Sequence, residues 1–294
     1  MPNSNVFLIA GHQVCIRFAD TTVNSMTLLP SFGAFQCCQE SDDFLFTLTV
    51  DDTIRPAGNK KLVRKFDTGN GDTLVYQLPD GGYQFIIRDI HDRDCCLLIA
   101  NSDFSDCRCA LNGDWLMRSF GLNDALMLAY AFAGAYRHTM LIHASTIMHH
   151  GYGYPFIAQS GTGKSTHSSL WLKHIEDCQL MNDDNPIVRI IDDGLPYIFG
   201  SPWSGKTPCY RPVRARLGAV TRIERAPQNR IEQLGPVQAF ASVLPACSSM
   251  KWDAVIYNHL CDAVSRIIET TPVYTLYCLP DQEAAVLCHK TITR

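Results

Sequence analysis

The chain has 294 residues, of which 46% are hydrophobic and 18% charged, with a formal net charge of −4. That is enough for one large domain or two modest ones, with the composition of an ordinary globular protein rather than a disordered or fibrous one. The mild acidity gives no global pull towards nucleic acid or an anionic membrane, so neither is an expected partner.

The start, Met1-Pro2-Asn3-Ser4-Asn5, has no positively charged segment, and the apolar run at 6–10 is too short for a secretory signal. No stretch approaches the roughly 18 apolar residues that span a bilayer. The 13 cysteines include no CxxC and no paired Cys/His spacing of the zinc type. They read as buried thiols of a reduced, cytoplasmic protein rather than as a disulfide framework.

In chain order, the first hundred or so residues are β-rich. Val14, Ile16 and Phe18 alternate with Gln13, Cys15 and Arg17, and Phe44, Phe46, Leu48 and Val50 repeat the pattern, which predicts strands with one buried face. Runs at 73–78 and 83–88 flank Pro79-Asp80-Gly81-Gly82, Gly69-Asn70-Gly71 marks another turn, and an apolar run at 95–100 follows. Residues 1–115 are therefore expected to form a β-rich accessory domain, an antiparallel meander or small sandwich, without visible chemistry.

Residues 116–294 are expected to form an α/β catalytic domain. Asn123 would cap a helix over 123–136. Strands are predicted over 140–148 and 154–158, with His149 and His150 in a solvated turn between them, and a helix over 164–175. Residues 180–181 lead into Asn182-Asp183-Asp184. Asp192-Asp193-Gly194 reads as a hairpin turn. Strands at 217–223 and 273–278 and helices at 237–244 and 252–267 complete the pattern.

The segment Ala158-Gln159-Ser160-Gly161-Thr162-Gly163-Lys164-Ser165-Thr166 fits a phosphate-binding loop with Ala in place of the first Gly. Gly161 and Gly163 allow positive φ, so consecutive N–H groups can face an anion, and the following helix presents its N-terminus to the same charge. Lys164 would reach the β- and γ-phosphates, and Ser165 would ligate Mg²⁺. The nucleotide-binding set is thus Ser160 to Thr166.

Such a loop needs a carboxylate for the metal and often a second for the nucleophile. Asp183-Asp184 lies one helix and one strand downstream, a spacing that can return the chain beside the loop. One Asp would hold Mg²⁺ and the other would accept a proton from an attacking hydroxyl. The alternative is a polar turn. His143, in an apolar run, is by periodicity alone a core residue.

Leu141-Ile142-His143-Ala144-Ser145, the glycine loop and Asn182-Asp183-Asp184, in that order, resemble the catalytic domain of HPr kinase/phosphorylase. Thr166-His167, Leu170-Trp171-Leu172 and Gly200-Ser201-Pro202-Trp203-Ser204-Gly205-Lys206 are similar to motifs of HPr-kinase-like proteins found beside peptide-modification genes. The core is shared more distantly with ATP-dependent phosphoenolpyruvate carboxykinase. The resemblance covers about residues 138–235. It implies a P-loop catalytic domain in which His143 sits near the transferred phosphate and Asp183 and Asp184 serve as metal ligand and base. It also implies an active-site loop at 200–206 that offers Lys206 to substrate or phosphate, and it admits a homo-oligomer. The chain departs from the family in carrying Thr166 where an acidic residue follows the loop serine, and its first hundred residues do not resemble the family's amino-terminal domain.

Arg211, Arg214, Arg216, Arg222 and Arg225 follow that loop. Most read as a solvated face, with Arg216 or Arg211 the candidates for contact with transferred charge. The expected activity is transfer of the γ-phosphate of Mg-ATP to a hydroxyl, such as serine of a peptide, a protein or a small metabolite. The alternatives are a non-catalytic ATP-binding switch and a carboxykinase-like enzyme.

Overall fold

The computed structural model describes residues 3–37, 43–67, 71–205 and 207–293. The chain divides into two compact units, residues 1–136 with 250–253, and residues 137–249 with 254–294. Each contains one mixed sheet.

In the first unit the strands are β1 (Asn3–Ile9), β2 (His12–Phe18), β3 (Phe44–Val50), β4 (Lys61–Asp67), β5 (Asp72–Gln77), β6 (Tyr83–Arg88), β7 (Asp94–Ala100) and β8 (Asp106–Leu111). They form a single sheet in the order β1-β2-β3-β8-β7-β6-β5-β4. The expected meander holds from β4 to β8. It fails at β3, which pairs in parallel with both β2 and β8, so the unit is neither a pure meander nor a sandwich. Val14, Ile16 and Phe18 are buried as the alternation requires, but Cys15 is buried too, so both faces of β2 are covered there. The turn residues 68–70 lie outside the described residues, as does Cys38. The twelve described cysteines are all free thiols.

Helix α1 (Trp115–Ala135) begins eight residues before the expected start. Its cap is Asp114, whose carboxylate accepts the Met117 N–H at 3.0 Å. Asn123 lies inside the helix, where its amide donates to the Ser119 carbonyl at 3.0 Å. The helix packs on β3, β7 and β8, which moves the boundary expected at 115/116 to the end of α1.

The second unit contains β9 (Thr139–Leu141), β10 (Ala144–His149), β11 (Tyr152–Ile157), α2 (Lys164–His174), β12 (Gln179–Asp184), β13 (Ile187–Ile190), β14 (Pro196–Phe199), β15 (Arg214–Leu217), β16 (Val220–Arg225), β17 (Arg230–Gln233), α3 (Pro236–Val243), α4 (Ala254–Thr270), β18 (Val273–Cys278) and α5 (Gln282–Ile292). The sheet order is β17-β18-β16-β11-β15-β14-β13-β9, with β10 joining β11 to β12. Two predicted strands are each split. The run at 140–148 breaks at Ile142-His143, and the run at 217–223 breaks at Gly218-Ala219, where the chain steps from one half of β11 to the other. Alternating side chains feed two cores. One sets Ile157, Val220 and Leu217 against α3 and α4. The other sets Tyr154, Phe156 and Ile223 against Trp171 of α2 and against α5. Among the described residues no helix is long and apolar enough to cross a membrane.

Candidate functional site

Register fixes the site's level on the sheet. Both β11 and β12 run antiparallel to β10, so they point the same way. Ala144 pairs with Ile157 on one side and Asp184 on the other, and Ser145 pairs with Phe156 and Asp183. The loop that follows Ile157 therefore emerges level with the acidic pair, one strand away. Crevices beyond the carboxyl ends of such strands are where α/β sheets bind ligands.

The loop runs from Ala158 to Gly163 and delivers α2 at Lys164. Gly161 has φ 76° and Gly163 φ 129°, and a Cβ on either would meet nothing within 4 Å. Glycine is thus needed for the sense of the backbone turn, not for room. Ser160, Gly161, Ser165 and Thr166 are exposed, with Thr162 and Gly163 half-buried. The first-turn N–H groups of α2 lack intrahelical partners, as in any helix start.

Lys164 Nζ lies 2.7 Å from His143 Nε2 and donates to the Ala158 carbonyl at 3.3 Å. Burial lowers its pKa below the usual lysine value, while Asp184 and Asp183 pull it back up. His143 occupies the break between β9 and β10. Its N–H donates to the Ala246 carbonyl at 2.7 Å, outside the sheet ladder. Its Nδ1 lies 3.0 Å from Asp184 Oδ1. A carboxylate at Nδ1 places the proton there and leaves Nε2 as acceptor for the Lys164 ammonium. Ser165 Oγ donates to Asp183 Oδ1 at 2.8 Å. The pair thus divides: Asp183 faces the serine, and Asp184 faces the histidine.

Asn182 holds the next loop against this pair. Its buried amide donates to the Trp203 carbonyl at 2.9 Å and to Ser201 Oγ at 3.2 Å, and accepts the Asn185 N–H at 3.0 Å. The Gly205 N–H donates to the Asp183 carbonyl. A Cβ on Gly205 would sit 2.9 Å from that oxygen, so only glycine permits the approach. Asp184 itself has φ 154°, a conformation side-chain-bearing residues rarely adopt. The end of the segment 200–205 is thus beside the acidic pair, while Lys206 lies outside the described residues.

The arginine expectations are not met. Arg216 pairs with Tyr152 at the start of β11, the end of the strand away from the loop. Arg211 donates to the Leu180 carbonyl at 2.7 Å and to Gln179 Oε1 at 2.9 Å, at the start of β12. The arginines at the loop are on β16, the parallel neighbour of β11, where Arg222 pairs with Ile157. Arg225 donates to the carbonyls of Gly161 and Thr162, the latter at 3.0 Å. Their position at the carboxyl end of a strand was the signal that could have singled them out. His149 also differs from expectation. It is buried, with Nε2 3.1 Å from His289 Nε2, because α5 covers the turn; His150 is exposed.

Two cavities flank the loop. One, of about 460 Å³, is lined by Ser160 to Thr162, Arg222, Glu224 and Arg225. The other, of about 470 Å³, is lined by His143, Gln159 and Arg222 and by small residues of α3 and the turn after it, Ala241, Pro245 and Ala246.

No family model matches the chain, and no curated protein matches it. Among solved structures, an Hpr(Ser) kinase/phosphatase from Coxiella burnetii is similar at 11% identity and a TM-score of 0.28, covering 51% of this chain and 91% of that one. A likeness of that size says nothing about activity.

Proposed function

We propose that the second unit transfers the γ-phosphate of Mg-ATP to a hydroxyl. The observation that supports this is the meeting, at one sheet edge, of the glycine loop, Lys164, the Ser165–Asp183 contact and the Asp184–His143 contact. Two glycines with positive φ ahead of a helix N-terminus fit a phosphate chain, and a hydroxyl touching a carboxylate fits Mg²⁺, a hard cation with oxygen ligands. Among the described residues no group of three His, Cys, Asp or Glu side chains gathers to hold a metal.

Mg-ATP, when bound, supplies the transferable phosphoryl group and the divalent charge that offsets its oxygens. The loop amides from Ser160 to Thr166 and the Lys164 ammonium would hold the phosphates. Ser165 and Asp183 would hold the metal. With Lys164 turned from His143 to the phosphates, the freed Nε2 of His143, backed by Asp184 at Nδ1, would take the proton of the attacking hydroxyl. The acceptor oxygen forms a bond to the γ-phosphorus, the bond from that phosphorus to the bridging oxygen breaks, and ADP leaves. The acceptor is a hydroxyl on a peptide, a protein or a small metabolite.

A thermal-shift titration with ATP, ADP and GTP, with and without Mg²⁺, tests the reading on wild type and Lys164→Ala. Ligand at ~100 times its Kd stabilises the native state by about 2.7 kcal/mol. A Mg²⁺-dependent rise that Lys164→Ala abolishes is expected. No rise with any nucleotide would end the phosphate reading, and binding without transfer would leave a nucleotide-dependent switch.

A further inference from the structure

Arg222 stands in the wall common to both cavities. On one side its Nη2 is 2.6 Å from Glu224 Oε1, and Glu224 lines only the first cavity. No other hydrogen bond engages the guanidinium among the described residues, so the rest of its donor fork is free for a ligand. The cavities differ in a way that sorts the two substrates. The first is lined by loop residues Ser160 to Thr162, of which Ser160 also lines the second, carries Glu224 and Arg225 besides Arg222, and does not include His143. The second includes His143, the residue in contact with both Lys164 and Asp184. A group in the second cavity therefore meets His143, which Asp184 backs from outside the cavity, and one in the first does not.

Chemistry narrows what the second cavity takes. Apart from His143, Arg222 is the one charged side chain in its lining, and no carboxylate lines it. The remaining wall is small and mostly apolar, and the Ala246 carbonyl accepts the backbone N–H of His143 at 2.7 Å, which ties that wall to the His143 backbone. A guanidinium on an apolar wall, with one edge held by Glu224 and its other donors free, suits one further carboxylate.

From this we infer that the second cavity is the acceptor site and that it takes a small hydroxy acid, its carboxylate on Arg222 and its hydroxyl towards His143. The inference rests on the phosphotransfer reading and adds to it the class of acceptor. The hydroxyl oxygen bonds to the γ-phosphorus, its proton passes to the His143–Asp184 pair, and ADP departs with the bridging oxygen. The product is the phosphate ester of the acid.

The test compares matched pairs that differ at the carboxylate: glycerate with glycerol, lactate with propane-1,2-diol, and malate with butane-1,2,4-triol. Full-length protein is incubated with Mg-ATP, and esters are followed by phosphorus NMR while Mg-ATP affinity is measured separately. Each accepted acid should exceed its matched alcohol by at least about tenfold in kcat/KM, the size of one charge-assisted contact. Arg222→Gln should erase that preference, and Ala241→Phe, at an exposed position of α3 that lines the cavity, should raise the KM of the acid. Ala241→Phe should leave the Kd for Mg-ATP within about twofold, because residue 241 lines the second cavity and not the first. Bound Mg-ATP with no acid phosphorylated, or with alcohols used equally well, would overturn the acceptor assignment and leave the cradle standing. Loss of Mg-ATP affinity in Ala241→Phe would assign the second cavity to the nucleotide instead. Failure of the wild type to bind Mg-ATP would remove the phosphotransfer reading itself.

Discussion

The sheets of the two units handle their polar side chains differently. In the first unit, acidic side chains mostly close on neighbours a few residues away, as Asp51 does on Thr53, Asp89 on Arg93 and Asp103 on Ser105. Long-range exceptions are Asp253, which accepts the Tyr83 hydroxyl at 2.8 Å, and Asp52, which accepts three hydrogen bonds. One oxygen accepts the Leu111 N–H, and the other accepts from Asn24 and Arg118. In the second unit the contacts at the loop join distant parts of the chain and leave capacity unused. Lys164 meets His143, Ser165 meets Asp183, and Arg222 is engaged on one edge. A carboxylate bonded through both oxygens to fixed partners holds a fold together, whereas a cation and a carboxylate with free donors and acceptors can receive a ligand.

If that contrast is right, damage to the two units should separate in measurement. Phe85 is fully buried in the first unit, with the rings of Phe104 and Phe132 at 6.0 and 6.3 Å. Phe85→Ala should cost ~3–5 kcal/mol in chemical denaturation of that unit, with Mg-ATP affinity unchanged. A parallel loss of nucleotide affinity would show that the units do not act separately. Asp184→Asn should do the reverse. Removal of a positioned proton acceptor costs about 10²–10⁴ in the chemical step, so turnover of labelled ATP should collapse while the thermal shift persists. Turnover within a few-fold of wild type would dismiss Asp184 from the chemistry.

The same contrast explains what could be read from sequence. Period-two alternation made β2 and β3 legible, because each buries one face, whereas β4 has no buried residue and was not among the expected strands. The glycine loop was legible because its residue types and spacing express a backbone requirement. The splits at Ile142-His143 and Gly218-Ala219 were not, since an apolar run looks continuous whether or not its hydrogen-bond partners change midway. The start of α1 was missed because Asn123 and Asp114 are both competent caps, and only packing chooses between them. Arg222 and Arg225 are marked by a parallel neighbour that comes from far along the chain. Local pattern has no access to such a pairing.

Acid should probe the layer beneath the loop. His167 is buried in α2, its Nε2 accepts the Trp171 indole N–H at 3.1 Å, and burial lowers its pKa to about 4. An unfolded histidine titrates near 6.5. Between those values the unfolded chain binds the extra proton, so stability falls as pH drops from about 6.5 to about 4. At 1.36 kcal/mol per unit the loss is roughly 3 kcal/mol at the acid end. Trp171 fluorescence should report a melting midpoint that falls over this window in wild type and falls less in His167→Gln. Equal slopes would mean that His167 takes up its proton in the folded state without penalty.

The smallest effect separates the two candidate caps of α1. Asp114 accepts the Met117 N–H from outside the helix, satisfying a group with no intrahelical partner and placing a negative charge at the positive end of the helix dipole. Asn123 donates to a carbonyl one turn back inside the helix, where it supplies nothing the backbone lacks. Asp114→Ala should therefore cost ~1 kcal/mol of first-unit stability. Asn123→Ala should cost only a few tenths or gain slightly, since alanine is the better helix former. Neither should move the Mg-ATP thermal-shift increment. If Asn123→Ala were the more damaging change, the helix would begin where the sequence alone suggested, and α1 would lose its first two turns.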